Sequence, residues 1–176
     1  VYNTSVEYLS ESIADLLAQS EKNFELICVD DSSDNYETIA LLNSFKTEYP
    51  HIVKVIRLKN RMGAAEARNV GLKTCTGQYV IFLDSDDRFD KNLLSNMLAA
   101  IECNDDDVCI CNFEKFNNSG DYVRNHQFGL DKTKESWIAA LPTKAWSKLL
   151  KRSYLTNNQL LFQDISSCND VFFSIM

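Results

Sequence analysis

Asp84, Asp86 and Asp87 crowd into four positions, and the first basic side chain to follow them is Arg88. Three carboxylates so close repel one another unless water or a divalent cation screens them. Hard oxygen ligands of this kind favour Mn2+ or Mg2+. A second acidic pair, Asp30 and Asp31, stands earlier in the chain and suits the same reading: each group follows a run of apolar residues. The plainer account of each is a solvated turn or a helix cap, worth about 1 kcal/mol and needing no ligand. Asp30 fits a cap better than Asp31 does.

What places these acids is the pattern around them. The run 79–87, Tyr-Val-Ile-Phe-Leu-Asp-Ser-Asp-Asp, reads as a strand buried on both faces of a parallel sheet that ends in its carboxylates. The run 24–31 reads as another, leading to Ser32 and Ser33, both good helix-capping residues. Between and around them the spacing predicts a helix capped by Thr4 and Glu7 with Leu9, Ile13, Leu16 and Leu17 on one face. It also predicts a helix over 36–49 that ends at Pro50, a strand over 53–58 and a short helix over 64–73 that stops near Gly77. Alternation of this kind implies an α/β fold with a mostly parallel central sheet and right-handed crossovers. In such a sheet ligands bind beyond the carboxyl ends of the strands, so both acidic groups should open on one edge.

The second half is less regular. A helix carries Leu93, Leu94, Met97, Leu98 and Ile101, a strand covers 108–116, and 122–128 returns as a hairpin, a small antiparallel addition. Segments 137–141 and 146–155 read as helices, and a further helix opens at Asp170. Lys148, Lys151 and Arg152 then form a small basic patch on one helix, most simply a solvated face. Trp137 and Trp146 are expected in the core or at an interface.

Composition narrows the class. A chain of 176 residues, 45% hydrophobic, buries one good core, so one domain over 1–176 is expected. A formal net charge of −7 without any basic stretch argues against nucleic acid as a partner. The six cysteines show no Cys-x-x-Cys spacing, which speaks for reduced thiols and against zinc. No run is long and apolar enough to span a bilayer. The expectation is a cytoplasmic protein, with the inner face of the membrane, peripheral attachment and homo-oligomers left open. Because no strand stands before Tyr2 and Asn3 to hold them, an opening strand is expected upstream, and the chain is read as truncated at both ends.

Taken as a set, Val1-Tyr2-Asn3, Glu25-Leu-Ile-Cys-Val-Asp-Asp-Ser-Ser-Asp34, Asn60-x-x-Gly63, Ala67-Arg68-Asn69-x-Gly71, Gly77-x-Tyr79 and Phe82-Leu-Asp-Ser-Asp-Asp87 resemble the family 2 glycosyltransferases with the GT-A fold. Lys144 to Leu155 and Asn169-Asp170-Val171 are similar to the second half of bacterial, non-processive members, and the resemblance implies a nucleotide-sugar-binding half at 1–103 and an acceptor-side half at 104–176. The resemblance implies that Tyr2 lies along the nucleotide, that Asp31 accepts from the base, usually uracil, and that Arg68 approaches base or diphosphate. It implies that Asp84 and Asp86 are the Asp-x-Asp that meets ribose and metal, with Mn2+ or Mg2+ as cofactor. It makes Asp170 the catalytic base of an inverting transfer from a UDP-sugar or other nucleotide-sugar donor to a glycan or lipid-linked acceptor in envelope polysaccharide synthesis. Asn169 departs from the usual Glu before that Asp, and Asp164 is the reserve candidate. Absence of a Gln-x-x-Arg-Trp motif separates the chain from processive synthases. A nucleotidyltransferase would need a Gly-rich phosphate loop with a Lys near the first strand, and a non-catalytic nucleotide-binding relative is the remaining alternative.

Overall fold

The computed structural model describes residues 1–116, 122–126 and 145–163. In chain order they form α1 (Val6–Leu17), β1 (Leu26–Asp30), α2 (Tyr36–Glu48), β2 (Val53–Arg57), α3 (Ala64–Thr74), β3 (Tyr79–Ile81) and α4 (Leu93–Cys103). There follow β4 (Val108–Ile110), β5 (Phe113–Phe116), β6 (Tyr122–His126), a single 3-10 turn (Ala145–Ser147), β7 (Lys148–Lys151) and α5 (Arg152–Asn157).

Helix and strand alternate through the first half as the apolar spacing predicts, and the result is a mixed α/β fold. β1 and β2 pair in parallel, from Leu26 opposite Val53 to Asp30 opposite Arg57. Leu9 and Ile13 of α1, Cys28 of β1 and Leu42 of α2 form one buried cluster over this pair. Val1 lies beside the end of β1. Its amino group donates to the Val29 carbonyl at 2.8 Å, and its own carbonyl accepts from the Asp31 N–H at 2.9 Å.

The 79–87 run departs from expectation in length and partner. Its ladder stops at Ile81, Phe82 is buried just beyond, and the Asp87 N–H turns back to the Asp84 carbonyl at 3.3 Å. The partner is β7, antiparallel, with Tyr79 opposite Lys151 and Ile81 opposite Leu149. β4 takes the other edge of β7, also antiparallel. Crowded carboxylates leave the sheet because they need water or a counter-charge, which a ladder excludes.

Residues 146–155 are likewise not one helix. Consecutive side chains of a strand point to opposite faces, and β7 uses this: Leu149 packs with Met97 and Ile101, while Leu150 packs with Leu72, Phe82 and Leu155. A helix would set the two leucines only about 100° apart, short of the opposite faces that the two clusters occupy. The basic patch dissolves with that helix. Lys148 is buried, Lys151 Nζ reaches Asp105 at 2.6 Å, and Arg152 Nε donates to the Gly77 carbonyl at 2.6 Å.

Two caps also shift. Ser5, not Thr4, caps α1, its Oγ accepting from Tyr8, and Asn35, not Ser32 or Ser33, caps α2. In each case the displaced hydroxyl holds another part of the chain, as described below. Cys28 is buried as expected, whereas Cys103 is exposed. The 137–141 segment, Trp137 and the helix opening at Asp170 lie outside the described residues, and Trp146 stacks edge-on against Phe113 at 4.6 Å. Among the described residues no helix is long and apolar enough to cross a membrane.

Candidate active site

β1 delivers Asp30 and Asp31 to its carboxyl end, both nearly fully buried. Buried carboxylates must be hydrogen-bonded, and these are. Asp30 accepts the Ser33 N–H at 3.0 Å and pairs with Arg57, which closes the turn after β1. Asp31 accepts two backbone N–H groups, Met62 at 2.6 Å and Gly63 at 2.8 Å. Those donors belong to the turn that starts α3, where Gly63 adopts φ 88°, a conformation that a side chain would strain. Asp31 thus fixes the start of α3.

α3 carries the arrangement to the second acidic group. Arg68 Nη2 donates to Asp84 Oδ1 at 3.0 Å, and its guanidinium covers the Phe162 ring at 5.3 Å. The next residue, Asn69, is buried and holds the Phe162 backbone at both its N–H (2.9 Å) and carbonyl (3.0 Å). One helix therefore spans both acid-tipped strand ends. The chain start spans them too. Thr4 Oγ1, free of the capping role, meets Ser85 Oγ at 2.7 Å, between Asp84 and Asp86. Ser33 Oγ accepts the Asn3 N–H at 3.0 Å, and Tyr2 lies under the Arg61 guanidinium at 4.1 Å.

The acidic loop is charged and only partly covered. The Asp84 side chain is 40% exposed, Asp86 is exposed and Asp87 is half-buried. Burial, reinforced by the charges of Asp84 and Asp86, pushes the Asp87 carboxyl up to about 6. Burial is the larger cause, and the neighbouring carboxylates add negative charge of the kind that a cation would relieve. Among the described residues no three His, Cys, Asp or Glu side chains form a ready metal cage. Two hard carboxylates fit instead an ion that takes its other oxygens from phosphate and water, the usual way Mg2+ is held.

Of the residues singled out in sequence, Tyr2, Asp31, Arg68 and Asp84 are joined through α3 and the first four residues, with Asp86 two positions beyond Asp84 on the same loop. Asp170, Asp164 and Asn169 lie outside the described residues. Sequence reasoning passed over Arg61, Ser85, Asn69 and Phe162. Asn69 stood beside Arg68 in a noted motif, but its partner is 93 positions away and leaves no local signal.

Comparison with known proteins agrees with this geometry. Residues 1–175 match the model for glycosyl transferase family 2. Glycosyltransferase GlyG of Streptococcus pneumoniae serotype 4 is 34% identical over 120 residues, 68% of this chain and 38% of GlyG. Poly(ribitol-phosphate) beta-glucosyltransferase of Bacillus spizizenii is 28% identical over 181 residues, 99% of this chain and 28% of that protein. The crystal structure of S. aureus TarS 1-349 in complex with UDP has a TM-score of 0.82 at 26% identity, covering 99% of this chain and 52% of that one. The chain spans no more than about half the length of any of these three. The fold they share is the GT-A fold. With the family model matched from Val1 to near the last residue, over a fold whose strand ends carry the acids that the motifs marked, the chain belongs to glycosyl transferase family 2.

Proposed function

We propose that the protein is an inverting glycosyltransferase, moving a sugar from a nucleotide diphosphate donor, a UDP-sugar, to a hydroxyl of a glycan or lipid-linked acceptor in bacterial envelope polysaccharide synthesis. One observation carries the reading: α3 is anchored on Asp31 at its start and on Asp84 through Arg68, so a single rigid element ties both acidic strand ends together. Relatives support the donor and the pathway. TarS is described in complex with UDP and also with UDP-GlcNAc, and the Bacillus relative is named as a poly(ribitol-phosphate) glucosyltransferase.

In this reading Tyr2 offers its ring to the base, stacking being tolerant of substitution on the base. Asp31 has acceptor capacity beyond its two backbone bonds, since a carboxylate offers about four lone-pair sites, and takes an N–H of the base. Asp84 and Asp86 would hold Mn2+ or Mg2+. When bound, such an ion supplies Lewis-acid neutralisation of the departing diphosphate. Arg68 brings a fixed positive charge to the same end of the site. The acceptor hydroxyl oxygen bonds to the anomeric carbon from the face opposite the diphosphate, the bond from that carbon to the diphosphate oxygen breaks, and the hydroxyl proton passes to the Asp170 carboxylate.

The test is donor hydrolysis and transfer by the full-length protein, assayed over a panel of nucleotide sugars with Mn2+. Asp86→Ala should abolish both, and Asp170→Asn should spare UDP binding while stopping transfer. Full turnover by Asp86→Ala would contradict the reading.

A further inference from the structure

Arg88 is one position from Asp87 and two from Asp86. A long, flexible side chain so placed has carboxylates to choose from on its own loop and on α1. It turns onto α1. Nε donates to Asp15 Oδ2 at 2.6 Å, Nη2 to Asp15 Oδ1 at 3.1 Å and Nη1 to Glu11 Oε2 at 2.8 Å. Glu11 and Asp15 are four residues apart on the helix and so share a face. The planar fork of arginine matches the Asp15 carboxylate at two points, a geometry that Lys could not supply. Asp15 Oδ2 also accepts the Phe89 N–H at 3.1 Å, which pins the backbone just past the acids. The Arg88 hydrogen bond is the chief reason the Asp15 carboxyl is held below its ordinary range. With 58% of the Arg88 side chain exposed, this clamp adds little to stability. Its effect lies in where it puts a positive charge.

We propose that Asp15 and Glu11 are positioning residues that hold the Arg88 guanidinium on α1 and off Asp86 and Asp87, so that the acidic loop stays open to a divalent cation. The inference rests on the donor-site reading above and adds to it a device for keeping that site unneutralised. Among the described residues, Arg68 is a second cation at the loop, and it forms an ion pair with Asp84. Released from α1, Arg88 becomes an internal counter-ion that competes with the metal.

A double-mutant cycle on the full-length protein tests this, with Mn2+ affinity read from water-proton relaxation in the presence of UDP and folding checked by thermal unfolding. Asp15→Asn removes the charge yet keeps an oxygen for the Phe89 N–H. It should weaken Mn2+ binding roughly ten-fold, the size expected when one charge moves to within about 6 Å of a divalent ion in a water-like dielectric. Arg88→Gln alone should change it by less than about two-fold, and the double variant should return to near the wild-type affinity, a non-additive result. A double variant as weak as Asp15→Asn would mean that the Asp15 carboxylate acts without Arg88, and unchanged binding by Asp15→Asn would mean that it does not act. Equal and opposite effects of the two single changes would reveal simple through-space charge. Each of these overturns the proposal while the donor-site reading stands. Failure of the wild type to bind Mn2+ at all would overturn both.

Discussion

Asn69 and Phe162 meet across 93 positions of chain through two hydrogen bonds, side-chain Nδ2 to the Phe162 carbonyl and Phe162 N–H to Oδ1. The amide stands in for a neighbouring strand and bonds both the N–H and the carbonyl of Phe162. Phe162, so held, packs edge-on against Phe82 at 4.8 Å and lies beneath Arg68. The segment after α5 is thereby locked to the helix that bears the site.

Asn69→Ala removes both bonds from the interior of the molecule. A loss of roughly 2–4 kcal/mol is expected, read from urea unfolding. A loss within about 0.5 kcal/mol, the size of an ordinary surface substitution, would mean that this pair contributes nothing.

Gln19 plays a comparable part at the other end of the acidic loop. Fully buried, it donates to the Asp90 carbonyl at 2.7 Å and accepts the Leu94 N–H at 3.1 Å, joining the end of α1 to the start of α4. Gln19→Ala should cost about 1–3 kcal/mol and speed amide exchange at Leu94. Unchanged protection of that amide would contradict the assignment.

Glu25 gives a pH signature. Burial acts to raise its carboxyl, but hydrogen bonds from Lys54, from the Thr76 N–H and hydroxyl and from the Gly77 N–H prevail, bringing it down from 4.5 to about 2. A depressed folded value means that its stabilisation is complete above about 4.5 and is lost as pH falls towards about 2. Glu25→Gln should therefore be less stable than wild type at neutral pH, with the gap closing across that acidic window. A gap independent of pH would contradict the role. The Glu25 side chain is mostly covered, but its Lys54 partner is half exposed, so solvent screens the pair and the effect is modest.

How far the fold could be read in advance depended on whether the information was local. The run from α1 to α3 was legible because apolar spacing of 3.6 or 2 sets which face is buried. The acidic strand ends were legible because charge ending an apolar run marks where a strand leaves the core. Lys148-Leu-Leu-Lys151 carries no alternation, and only the two clusters on either side of β7 make it a strand. Caps were misread by one to three positions because Thr4, Ser5, Ser32, Ser33 and Asn35 all suit the task by type. Distant partners decided among them: Ser85 for Thr4 and Asn3 for Ser33.

The central claim is that the ends of β1 and β3 form one donor site. Titration of UDP into the full-length protein, with and without Mn2+, tests it most directly. Asp86→Ala should abolish the gain in affinity that Mn2+ brings while leaving metal-free binding intact, and Asp31→Asn should weaken binding under both conditions. Metal-dependent UDP binding that both variants retain in full would contradict the account.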